Sequence, residues 1–172
     1  MNEYIESIQK RFLYYKGVGE RAMKQLKEEQ LFFKPSIESN NIAIIVNHLY
    51  GNMLSRWTNF YTEDGEKEWR YRDAEFEDKI LSGKDLKKKW DKGWACVFDV
   101  INNITVEDLQ KTVTIRNEKH SVIGAINRQL THYSYHIGQI VYIAKICQDK
   151  QWQSLTIPKG KSLEFNQQMK NR

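Results

Sequence analysis

Four long stretches of this chain repeat apolar residues three and four positions apart, the spacing that places them along one face of an α-helix. In the first, Ile5, Ile8, Phe12 and Tyr15 are followed beyond Gly17 and Gly19 by Ala22, Met23 and Leu26, and Pro35 is expected to close the helix. The second is expected to start after Ser39 or Asn40, either a good N-cap, and to carry Ile42, Ile45, Val46, Leu49, Met53 and Phe60. The third bears Leu86, Trp90, Trp94, Val97, Ile101 and Ile104. The fourth begins near Ser121 and runs to about Gln148, with Ile126, Leu130, Tyr133, Ile137, Ile140, Val141 and Ala144 on its stripe. A helix that is apolar on one side must bury that side against another element, so the expected class is all-α, a four-helix bundle.

The connections are uneven. Residues 61–83, YTEDGEKEWRYRDAEFEDKILSG, form a long, charge-dense crossover between helices two and three, and connections of that length inside a compact domain are often functional or mobile. In 105–120 the run TVTIR alternates β-branched residues with others, which predicts at most a small hairpin before helix four. The tail after Pro158 is polar and basic and is expected to wrap the surface or fray. With no internal repeat, the whole chain, 1–172, reads as one domain.

A chain of 172 residues can bury roughly 70% of the surface its unfolded form exposes, so it needs no covalent staple. Cys96 and Cys147 lie far apart in apolar helical patterns, which suits small core residues and excludes a Cys-x-x-Cys metal site. No run of about 18 apolar residues occurs, and MNEYIESIQKRF lacks the layout of a secretory leader. The expectation is therefore a cytoplasmic protein without membrane association. The net charge of +5 is spread among interleaved acids, and the expected burial of Trp90 and Trp94 speaks against bases stacking on them, so no nucleic-acid partner is expected.

Chemistry concentrates in QLTHYSYHIGQIVYIAK, residues 129–145, which holds two of the four histidines. Residues four apart on a helix point the same way, so His132 and His136 can offer nitrogens to one ion from the flank of the apolar stripe. A third donor has to come from another helix. His48, mid-helix beside Leu49, is the candidate, whereas His120, at the expected start of helix four and rotated away, reads as exposed or capping. Three neutral imidazoles leave coordination room, the arrangement of a catalytic divalent site; satisfied core or surface histidines are the alternative.

The segments NHLYGNM at 47–53 and QLTHYSYHIGQIVYIAK resemble the metal-binding helices of the DinB-like superfamily, four-helix bundles with a three-histidine site. GEKEWRYRDAEFE, KKKWDKGWA and SLTIPKGKSLEFN extend the resemblance over nearly the whole chain, toward a subfamily of unassigned activity. The resemblance implies His48, His132 and His136 as metal ligands and one divalent ion per chain, zinc, nickel or iron. It also implies frequent homodimers, and in some members transfer of a bacterial thiol such as bacillithiol or mycothiol.

Around such a centre, Asn52 and Arg56 follow His48 at four-residue steps. Arg56 could hold a ligand's carboxylate or pair with the acidic crossover. Tyr135 and Gln139 flank the histidine pair and could hydrogen-bond an imidazole or a substrate, while Tyr133 reads as packing. Trp69, Arg70, Arg72 and Asp73 belong to the crossover, which could close over the site or line a dimer seam. The expected function is metal-dependent transfer of a thiol to an electrophilic small molecule in stress or detoxification. The alternatives are hydrolysis of a small amide or ester by metal-activated water, or metal binding without turnover.

Overall fold

The computed structural model describes residues 1–171. Helices α1 (Asn2–Met23), α2 (Ile42–Trp57), α3 (Gly83–Ile101) and α4 (Val122–Gln148) form the bundle, and a short α5 (Ser162–Lys170) follows. α2 packs chiefly on α3, and α1 on α4. Strands β1 (Thr112–Ile115) and β2 (Glu118–Ser121) pair antiparallel as the small hairpin expected before the last long helix.

The helix starts follow from local chemistry. Ser82 and Ser121 accept the amide N–H of Asp85 and Gly124, capping α3 and α4. The cap of α2 is neither Ser39 nor Asn40 but Asn41, whose side-chain oxygen takes the Ile44 amide at 2.8 Å. Ser39 bonds Ser36 instead.

The ends differ more, because tertiary contacts decide them. α1 stops at Met23, not at Pro35, and the chain turns into a 3-10 segment, Glu28–Phe32. That turn buries Leu31 and lets Gln30 donate to the Cys147 carbonyl near the end of α4. α2 ends at Trp57, and Phe60 reaches the core from outside the helix by stacking on Trp57 at 5.1 Å. Ile104 likewise stays buried beyond the end of α3. Within the tail, Ser162–Lys170 forms a helix with no buried residue rather than a frayed strand of chain.

Buried apolar side chains from all four long helices join in one cluster. At its centre Trp94 and Phe12 pack edge-on to Tyr133, with ring centroids 5.7 and 6.0 Å apart. Truncating an aromatic side chain in such a setting costs about 3–5 kcal/mol. Gly19 permits the close approach of α1, since a β-carbon there would lie 2.6 Å from the Trp90 ring. Cys96 and Cys147 are free and half-buried at the margin of the core, and burial pushes both thiols up. His120 lies in β2 opposite Val113 rather than at the start of α4, and is half-buried rather than exposed. No helix among the described residues is long and apolar enough to cross a membrane.

Candidate metal centre

α2 and α4 bring His48, His132 and His136 together at the flank of the bundle. The Nε2 atoms of His48 and His136 lie 3.2 and 3.1 Å from Nε2 of His132, and one ligand atom from each residue falls within 4.8 Å of the others. The cluster could hold a metal ion.

Two of the three tautomers are set by neighbours. His48 Nδ1 is 2.9 Å from a carboxylate oxygen of Glu75, which can only accept, so Nδ1 carries a proton and, in the neutral ring that ligates a metal, Nε2 presents its lone pair. His136 Nδ1 donates to Oε1 of Gln139 at 2.8 Å, with the same consequence. Both free lone pairs face Nε2 of His132, whose single proton can serve only one of them. A cation satisfies all three nitrogens at once, so the donor set fits a divalent ion.

Burial is the first cause that lowers the pKa of His132 to about 3, and the nearby His136 and His48 add to it. Burial likewise lowers His136 to about 4, against the opposing hydrogen bond to Gln139. Both imidazoles are therefore neutral at pH 7, the form in which they ligate metals.

The crossover supplies the support for His48. Its 3-10 turn, Asp73–Phe76, lays Phe76 flat against the imidazole at 4.7 Å and turns Glu75 inward. Arg70 grips the Glu75 carboxylate through Nε and Nη2 at 2.7 and 2.9 Å, with 2% of its side chain exposed. Burial pushes the Glu75 carboxyl up, but hydrogen bonds to His48 and Arg70 outweigh it and hold the group below the usual carboxylate range. Asn47 adds a bond to the Glu75 carbonyl at 2.9 Å. Gly51, one turn beyond His48, makes the arrangement possible, because a β-carbon there would collide with the Glu75 carboxylate.

The remaining candidates take different places. Asn52 and Arg56 line the cavity that opens over the three imidazoles but bond none of them: Asn52 accepts from the Tyr133 hydroxyl at 3.2 Å. Arg56 donates to the Gly65 carbonyl and pairs with Glu66 at 2.9 Å, which makes it a partner of the acidic crossover. Tyr133 does more than pack, for its hydroxyl also accepts from Trp57 Nε1 at 2.8 Å. Tyr135 stands at the mouth, its ring 4.9 Å from that of His136 and without a hydrogen bond to it. Of the crossover residues singled out by sequence, Arg70 is buried beside the site and Arg72 lies over Phe76, while Trp69 and Asp73 are exposed.

Glu75 and Phe76 escape a sequence reading because RYRDAEFEDK offers several acids with no period to choose among them. The one available signal is Gly51, since a glycine inside an apolar helical pattern often marks a close approach. No curated protein matches the chain. The profile of a family described as "Protein of unknown function (DUF1572)" matches residues 1–161, and with that share covered this chain belongs to that DinB-like family.

Proposed function

We propose that this protein is a divalent-metal-dependent enzyme that joins a low-molecular-weight thiol, such as bacillithiol or mycothiol, to an electrophilic small molecule. The observation that carries the reading is the meeting of three Nε2 atoms, two of them fixed as acceptors by Glu75 and Gln139. A bound zinc, nickel or iron ion supplies Lewis acidity there, lowering the pKa of a thiol toward neutrality.

The chain's own groups do the rest. His48, His132 and His136 hold the ion with three neutral donors, fewer than the four of a closed structural site. Glu75 orients His48 and raises its basicity as a ligand, and Arg70 balances the carboxylate so that it stays ionised while buried. Phe76 and the crossover shield one side of His48 from water.

Elemental analysis of protein purified without a His-tag is expected to find about one divalent ion per chain, as the three-donor site requires. His136→Ala is expected to lose it. The metal-loaded protein is then assayed for conjugation of bacillithiol to chlorodinitrobenzene. Turnover that needs both metal and thiol supports the reading; silence across several thiols and metals refutes it. Metal-dependent cleavage of simple esters without any thiol would reassign the site to hydrolysis.

A homodimer belongs to the same proposal. Tyr135, Tyr142 and Ile146 are 63, 67 and 41% exposed along one side of α4, a face suited to a second copy, and light scattering tests it.

A further inference from the structure

The cavity over the imidazoles has a volume of about 400 Å³, and its wall contains Arg56, Arg70, Arg72, Arg116 and Arg128 but no carboxylate side chain. Three of these guanidinium groups are accounted for by the fold. Arg56 and Arg116 pair with Glu66, and Arg70 with Glu75 and Glu66. Arg72 and Arg128 are exposed at the mouth and make no ion pair among the described residues.

Two buried polar atoms of the same wall lack partners. Arg56 is 5% exposed and spends Nη1 and Nη2 on Gly65 and Glu66, yet its Nε–H meets no acceptor. Gln129 is 3% exposed, and its Oε1 meets no donor. Buried polar groups are nearly always satisfied, so the open Arg56 donor, on a residue that lines the cavity, points to an acceptor there, whereas Gln129 Oε1 is itself an acceptor and calls for a donor.

The cationic wall is also built at some conformational cost. Arg116 and Asn117 form the hairpin turn with φ of 56° and 64°, a left-handed backbone unfavourable for arginine. Asp64 holds it by accepting both amide N–H groups at 2.8 Å, and Gly65 N–H ties the crossover to the Thr114 carbonyl at 2.7 Å. A two-residue hairpin turn requires positive φ at both of its central residues, so the hairpin itself accounts for this backbone, and the bonds to Asp64 fix Arg116 at the rim of the site. Burial depresses the Arg56 pKa, Glu66 resists, and the charges of Arg70 and Arg116 depress it further. A bound negative charge would relieve that crowding.

We propose that the cavity binds an anionic group, a carboxylate or a phosphate, between Arg56 Nε and the free guanidinium groups of Arg72 and Arg128. Under the metal-dependent reading this group belongs to the substrate and sets it beside the three imidazoles; the anion site itself stands on the arginines alone.

The test is isothermal titration of the untagged protein in chloride-free buffer, metal-loaded and metal-stripped, with inorganic phosphate and malonate, and with neutral malonamide as control. Both anions are expected to bind, malonamide is not, and added salt weakens the binding. Arg128→Gln, at an exposed side chain that makes no hydrogen bond or ion pair among the described residues, is expected to weaken binding about tenfold. Arg11→Gln, on the exposed face of α1, leaves it unchanged. Failure of both anions to bind overturns the proposal, as does binding that Arg128→Gln leaves intact. A protein that holds metal but no anion sinks this inference and spares the metal centre; one that binds anions through Arg128 but retains no metal does the reverse.

Discussion

Replacing Glu75 by Gln tests the link between the crossover and the metal centre. The carboxylate receives Arg70 Nε, Arg70 Nη2 and His48 Nδ1 at 2.7, 2.9 and 2.9 Å, so three donors converge on its two oxygens. Glutamine keeps the shape but has one acceptor oxygen, and its NH₂ must face a donor. Arg70, with 2% of its side chain exposed, is then left with the longer contact to Glu66 at 3.4 Å as its one ion pair. Stranding a buried charge costs about 3–5 kcal/mol, and the surviving contact argues for the lower end, about 3 kcal/mol. For a chain of this length that corresponds to a fall in Tm of roughly 6–12 °C. Weakening the support of a ligating imidazole typically lowers metal affinity by roughly 10–100-fold. Thermal unfolding of the metal-free protein and chelator competition on the loaded protein read the two effects separately. Adding Arg70→Met should recover part of the stability, because a buried pair removed together costs less than one partner removed alone. It should not recover metal affinity, since His48 still lacks its carboxylate. A single variant within roughly 2 °C of the parent, or one with unchanged affinity, would refute this account of Glu75.

Gly51→Ala should lower metal affinity in the same assay, because its β-carbon displaces the Glu75 carboxylate; helix propensity alone would have made it stabilising by about 1 kcal/mol. Tyr133→Phe strands the Trp57 N–H and the Asn52 oxygen and should cost about 2 kcal/mol in urea unfolding, with metal content unchanged. Acid should weaken the metal-free protein before ordinary carboxylates titrate. His132 and His136 have folded pKa values of about 3 and 4, so below about 6.5 the unfolded chain binds protons that the folded one refuses. Stability is therefore full above that pH and falls as pH drops toward 4.5; a urea midpoint that stays flat across this window contradicts the neutral pair.

The helices were legible wherever one face is buried along its length, as on α4, where Ile126, Tyr133, Ile137 and Ile140 are all buried. Boundaries were not, because they depend on partners distant in the chain: Gln30 holding the end of α4 stops α1 short of Pro35, and Phe60 finds the core by stacking on Trp57 after its helix has ended. Asn41 shows the same limit in miniature, since three successive residues were capable caps and only the one reaching the Ile44 amide serves.

The site divides along the same line. The His132 and His136 pairing follows from helical spacing, an interaction between near neighbours that the order of residues determines by itself. Sequence also singled out His48 as the third donor, but the carboxylate of Glu75 that fixes its tautomer, and the arginine wall contributed by α2, the crossover, the hairpin turn and α4, were decided by tertiary structure alone. Periodicity reports which face of a helix is buried. It does not report which residue of an aperiodic, charged loop is folded inward, because that choice rests on hydrogen bonds and ion pairs between groups far apart in the sequence.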